Sequence, residues 1–197
     1  MGYTEDEIGH PSYSQPTGTH SYQCGHCDHQ TSGRVVAFYP SNGVNKWLLC
    51  TNCAKGSVLT SAGIIFPASK FGSSVEGLPG IVQKAYDEAR LCYSVGAFTA
   101  CELICRKILM NVAVDKGADE NDSFVNYLDF LKTEGYITEA MMSWVSLIRE
   151  HGGKSTHYIA EPEKTRAEST LMFTEQMLKI IYEATHRADK YSQTNTS

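Results

Sequence analysis

Two pairs of cysteines carry the clearest chemistry in this chain. They read Cys24-Gly25-His26-Cys27 and Cys50-Thr51-Asn52-Cys53, with 22 residues between the pairs. Two such turns can set four sulfurs at the corners of a tetrahedron, the geometry and the soft donor set that Zn²⁺ prefers. The spacing predicts one structural Zn²⁺ on Cys24, Cys27, Cys50 and Cys53. Two disulfides are the alternative, or a site in which His26 or His29 replaces one sulfur. A thioredoxin-like redox pair fits less well, because the pairs are matched and no βαβ pattern surrounds either.

A second polar cluster is His151-Gly152-Gly153-Lys154-Ser155-Thr156-His157, set between two apolar helical patterns. A histidine near neutral pKa can take a proton from a ribose 2′-OH, and a cation can stabilise a phosphorane. His157 is the candidate base, and Arg106, Arg149 and Lys154 are the candidate cations for binding. The plainer reading is structural: the glycines end a helix and His157 bonds across to a neighbouring one. The cluster lacks the first glycine and the strand context of a phosphate loop. Arg106 stands among apolar positions, where it would pair with a buried acid such as Glu88 or Glu102, or stay at the bundle edge with its stem packed. Cys92, Cys101 and Cys105 read as small hydrophobes on helix faces. Trp47 and Trp144 read as core anchors. Tyr22, Tyr39 and Trp47 could also stack on bases, with Arg34 and Lys46 as the nearby charges.

The elements around these residues follow from periodicity. Residues 1–20 form a polar lead-in, with a short strand just before Cys24. Residues 34–39 and 45–49 are strand candidates joined by a turn at Pro40-Ser41-Asn42-Gly43, and Ser57 to Phe66 is a third β-prone run. A zinc ribbon over residues 21–68 results, too small to fold without its metal. From Pro67 to Pro79 the period changes from 2 to 3.6. Five helices follow within residues 78–187, near 79–95, 97–116, 122–134, 138–151 and 162–186. Gly96, Gly117, Gly135 and Gly152 serve as helix stops. Asn121 or Asp122 would cap the third helix and Thr138 the fourth. Residues 188–197 read as a loose tail. The fold class expected is mainly α: an antiparallel bundle of about five helices behind a small β zinc ribbon.

The bulk composition narrows the function. A net charge of −5 argues against wrapping nucleic acid over the whole surface. No apolar run reaches the ~20 residues of a membrane helix, and the acidic start lacks a signal-peptide core. An odd total of seven cysteines, four of them ligand-like, points to the cytoplasm.

The helical half resembles the family catalogued as domain of unknown function 4145. The resemblance rests on Leu78-Pro79, Tyr86-x-Glu88-Ala89, Gly96-Ala97-Phe98-x-Ala100, Arg106-Lys107-Ile108-Leu109, Gly135-Tyr136-Ile137 and Ile148-Arg149-x-x-Gly152-x-x-x-x-His157. It implies a HEPN-like helical bundle, often behind a zinc ribbon. It also implies a place in a phage-defence or restriction-type system and homodimerisation through the bundle. HEPN ribonucleases place His four to six residues after Arg; here seven residues separate Arg149 from His157, and Gly152-Gly153 stands where members have Gly-Asn. The expectation is therefore a recognition module for nucleic acid or a partner protein, with no membrane contact. A metal-independent endoribonuclease using His157 is the alternative, and a structural or regulatory oligomer is the third reading.

Overall fold

The computed structural model describes residues 18–38, 45–154 and 163–194. The chain divides into two compact units, Met1–Lys70 and Phe71–Ser197.

The first unit is an antiparallel sheet of five strands in sequence order. These are β1 (Thr19–Gln23), β2 (Gln30–Phe38), β3 (Lys46–Cys50), β4 (Gly56–Leu59) and β5 (Ile65–Phe66). Alternation along the strands sends Tyr22, Val35, Leu48 and Leu59 to one face, where they pack with Cys24 and Cys50. Across that inner face the Tyr22 hydroxyl of β1 reaches Ser57 Oγ of β4 at 3.4 Å. The Tyr22 ring can lie there because residue 33 is glycine: a Cβ at Gly33 would stand 2.5 Å from Tyr22 Cε1. A β-bulge between Val35 and Ala37 shifts the β2–β3 register, so that Arg34, Leu49, Ala37 and Trp47 share the outer face.

The expected mainly α fold, a HEPN-like antiparallel bundle of five helices behind a small zinc ribbon, is corrected here. The N-terminal unit is a five-stranded β meander with its own core. The run Ser57–Phe66 is two strands, because Thr60 and Ile64 close a turn in which Gly63 takes a φ of 78°. A strand ahead of the first cysteine pair completes the sheet. The chain is thus a β unit followed by an α unit.

The second unit holds α1 (Gly80–Ser94), α2 (Phe98–Asp115), α3 (Phe124–Thr133), α4 (Met142–Lys154), α5 (Lys164–Leu178) and α6 (Ala184–Thr194). A 3₁₀ turn, Glu139–Met141, precedes α4, and a π-turn, Lys179–Glu183, joins α5 to α6. Helix α2 packs against α1, α3 and α5. Its apolar spacing buries Cys101, Cys105, Ile108, Leu109 and Val112. Ser123, one residue beyond the expected caps, accepts the Asn126 N–H and starts α3. Thr138 precedes the 3₁₀ turn and makes no side-chain cap bond. Helix α4 continues through Gly152, and helix persists to Thr194, past the expected end near His186. Pro162 lies outside the described residues.

Two buried ionic side chains fasten the segment that leads into α1. Arg90, 2% exposed, donates to the carbonyls of Phe71 (2.7 Å) and Gly72 (2.8 Å). Glu175, also 2% exposed, accepts from the Ser73 N–H (3.0 Å), the Ser73 hydroxyl (2.6 Å) and the Tyr86 hydroxyl (3.0 Å), and pairs with Lys179. One turn pair further on, Glu183 accepts the Glu76 N–H at 3.4 Å. Backbone groups that no helix or strand satisfies are thereby paired.

Candidate metal centre

Each cysteine pair sits in a knuckle that closes on its own backbone. In the first, Asp28 N–H donates to Cys24 O (2.8 Å) and Cys24 N–H to His29 O (3.0 Å). In the second, Ala54 N–H donates to Cys50 O and Cys50 N–H to Lys55 O, both at 3.0 Å. The residue after each pair is left-handed, Asp28 at φ 61° and Ala54 at φ 56°. The two knuckles are therefore the same local structure built from unrelated side chains. Strands β1, β2 and β3 bring them face to face.

The four ligand atoms of Cys24, Cys27, Cys50 and Cys53 all lie within 4.8 Å of one another. Cys24 and Cys53 sulfurs are 3.9 Å apart, as are those of Cys27 and Cys50. A Zn–S bond of about 2.3 Å implies a tetrahedral S···S edge of about 3.8 Å, so the donors fit a zinc ion. All seven cysteines are free thiols, which leaves no disulfide pair among the four. The histidine alternatives also fall away. His26 Nε2 donates to Gly56 O at 2.9 Å and His29 Nδ1 to Cys27 O at 2.8 Å, and neither ring belongs to the cluster.

The surroundings favour charge on sulfur. Asn52 Nδ2 donates to Cys27 Sγ at 3.5 Å; this bond and the His29 backbone N–H lower the Cys27 thiol to about 6. The Cys53 backbone N–H leads the groups that lower Cys50. At Cys53 the Lys55 N–H pulls downward, but burial and the neighbouring sulfurs outweigh it and push the thiol up to about 11. Without a cation, charge on Cys53 is disfavoured beside the neighbouring sulfurs. Thr31 Oγ1 lies 3.7 Å from Cys50 Sγ and 3.0 Å from Thr51 Oγ1, whose own proton goes to Ser32 O at 2.9 Å. With the Thr51 proton committed to Ser32 O, the Thr31 hydroxyl donates its one proton to Thr51 Oγ1 and accepts from the Cys50 thiol. Four sulfurs in a closed set leave no position for substrate, the pattern of structural rather than catalytic zinc.

The remaining candidate residues do not form one described site. Arg149 pairs with Asp129. Among the described residues its buried Nε has no hydrogen-bond partner. Arg106 lies over the Phe124 ring, 4.5 Å from its centroid, and burial lowers its pKa. Glu102 instead takes its ion pair from Arg166 at 2.7 Å. Lys154 ends α4, and His157 lies outside the described residues, as does Tyr39. Tyr22 is buried in the sheet core, whereas Trp47 is exposed on the outer face. Trp144 donates to Ser169 O at 3.0 Å and packs edge-on to Phe173. Buried Arg90 and buried Glu175, which bind different partners, were not singled out by the sequence. The one trace of Arg90 is that it follows Tyr86 by four residues and precedes Tyr93 by three, within an apolar stripe.

Compared with known proteins, the chain matches a family model described as Domain of unknown function (DUF4145) over residues 87–194. No curated protein and no solved structure matches it. No described helix is long and apolar enough to cross a membrane.

Proposed function

The chain belongs to the family described as Domain of unknown function (DUF4145), and from that premise we propose that it is a recognition module rather than an enzyme. One Zn²⁺ held by Cys24, Cys27, Cys50 and Cys53 keeps the five-stranded sheet rigid, and this unit reads nucleic acid. The observation that carries the reading is the closed set of four sulfurs within 4.8 Å. When bound, the ion supplies the positive charge that lets all four thiolates coexist. The non-enzymatic part leans on the two candidate arginines, whose guanidinium groups are engaged by Asp129 and by the Phe124 ring.

The helical unit has a groove between α1 and α2 of about 370 Å³, lined by Ile81, Ala85, Ile104 and Ile108 with Glu88 and Lys107. One acid and one base beside an apolar groove are complementary to themselves across a two-fold axis. This supports a homodimer formed through the helices.

The test is metal content by elemental mass spectrometry, with nucleic-acid binding measured on the same samples. Purified protein should carry one zinc per chain, and Cys27→Ser should lose it while the helices persist by circular dichroism. Full metal retention in Cys27→Ser, or undiminished nucleic-acid binding by metal-free protein, would overturn the proposal.

A further inference from the structure

The outer face of the sheet carries a row of apolar side chains that the core does not use. Ala37, Trp47, Val58 and Phe66 stand directly opposite one another across β2, β3, β4 and β5. Directly paired residues point to the same side of a sheet. Trp47 is 36% exposed and Phe66 53% exposed. The next row on that face runs Thr19, Arg34, Leu49, Gly56. Arg34 is exposed. Two strand spacings, roughly 10 Å, separate the two aromatic positions, and the arginine row lies about 7 Å along the strands.

Charge selects the occupant. Between residues 18 and 70 the basic residues are Arg34, Lys46, Lys55 and Lys70 and the one acid is Asp28, a formal +3 that the four thiolates and one Zn²⁺ (−2 together) reduce to +1, in a chain whose side-chain total is −5. An exposed aromatic row beside a cation, on the basic part of an acidic protein, matches bases and phosphates together. It matches a protein partner poorly: Thr19, Ser21 and Ser32 border it on β1 and β2, and a stable protein interface needs about 20–30 residues a side.

We propose that this face binds single-stranded nucleic acid, with bases stacked on Trp47 and Phe66 and a phosphate held by Arg34. The proposal rests on the recognition reading above and assigns its ligand and its surface. Duplex is disfavoured, because only unpaired bases offer their flat faces to side chains.

The experiment is fluorescence anisotropy of a labelled oligothymidylate of about 15 nucleotides with the zinc-loaded full chain. Trp47→Ala and Phe66→Ala should each weaken binding roughly 5- to 140-fold. Trp47→Phe, which keeps a stacking ring, should recover most of it. Arg34→Ala should lower the slope of log affinity against log salt by about 0.7. Zinc content and circular dichroism accompany every variant. No binding by zinc-loaded wild type overturns the single-strand proposal, leaves the zinc-stapled module standing and points the face to a protein. Binding that survives both alanine variants overturns the assigned surface alone. Equal binding of duplex overturns stacking. Loss of zinc from wild type sinks the underlying reading instead.

Discussion

Replacing Glu175 by glutamine tests whether one carboxylate holds the start of the helical unit. In the fold, burial alone would raise the Glu175 pKa. Lys179, the Ser73 hydroxyl and N–H, and Tyr86 outweigh it and hold the group at about 2, against an ordinary 4.5. That gap corresponds to about 3 kcal/mol of stability. The sign follows from proton binding. The unfolded chain protonates this group first as pH falls, so the contribution is complete above about pH 5 and disappears towards pH 2. At 2% exposure the group is not screened by solvent. Glu175→Gln removes the charge and leaves the Ser73 N–H competing for a single carbonyl oxygen. At neutral pH the helical unit should lose about 3 kcal/mol, a drop in Tm of roughly 10 °C for a domain of this size. The assay is thermal unfolding by far-UV circular dichroism across about pH 7 to pH 2, wild type beside variant. The wild-type Tm should fall more steeply than that of the variant below about pH 5, and the two should converge. A variant that melts with wild type at neutral pH, or that keeps the wild-type acid slope, refutes the argument.

Two further changes probe the metal unit. Gly33→Ala drives a methyl group into the Tyr22 ring; it should destabilise the sheet by about 1–3 kcal/mol and lower the chelator concentration at which zinc is released, and an unchanged release midpoint would count against the packing described. Ala54→Gly removes a left-handed alanine from the second knuckle; it should strengthen zinc retention by up to about 1 kcal/mol, and weaker retention would show that the knuckle geometry is wrong.

The ligand cluster was legible because a Cys-x-x-Cys turn is a local structure. Its knuckle bonds run from Cys24 to His29 and from Cys50 to Lys55, within two residues of each pattern's end. The helices were legible from apolar spacing, which placed Cys101, Cys105, Ile108, Leu109 and Val112 inward. The sheet was under-read. Thr60 to Gly63 is a turn, but strong β propensity on both sides hid it within one run. Trp47 was expected in the core by size. Its face follows from alternation with inward Leu48 and Cys50 along β3, and the bulge beside Val36 sets only that Ala37 stands opposite it. Arg90 and Glu175 draw no notice in the sequence because burial of an ion depends on partners distant in sequence. Glu175 finds Ser73 across 102 residues.

The π-turn at Lys179–Glu183 has a bearing on how the end of the chain is phased. On a regular helix, residues eight apart point about 80° away from each other. Glu175 and Glu183 are eight apart, yet both reach the short segment holding Ser73 and Glu76. One surplus residue absorbed in a wide turn rewinds the azimuth by up to about 100° and restores the two acids to a common meridian. The last two helices thus behave as a vernier. Excising a single residue there would let the turn close as ordinary helix, and the two acids, then seven apart, would stay within about 20° of a common line, so the phase set for Glu183 and Arg187 would survive the loss.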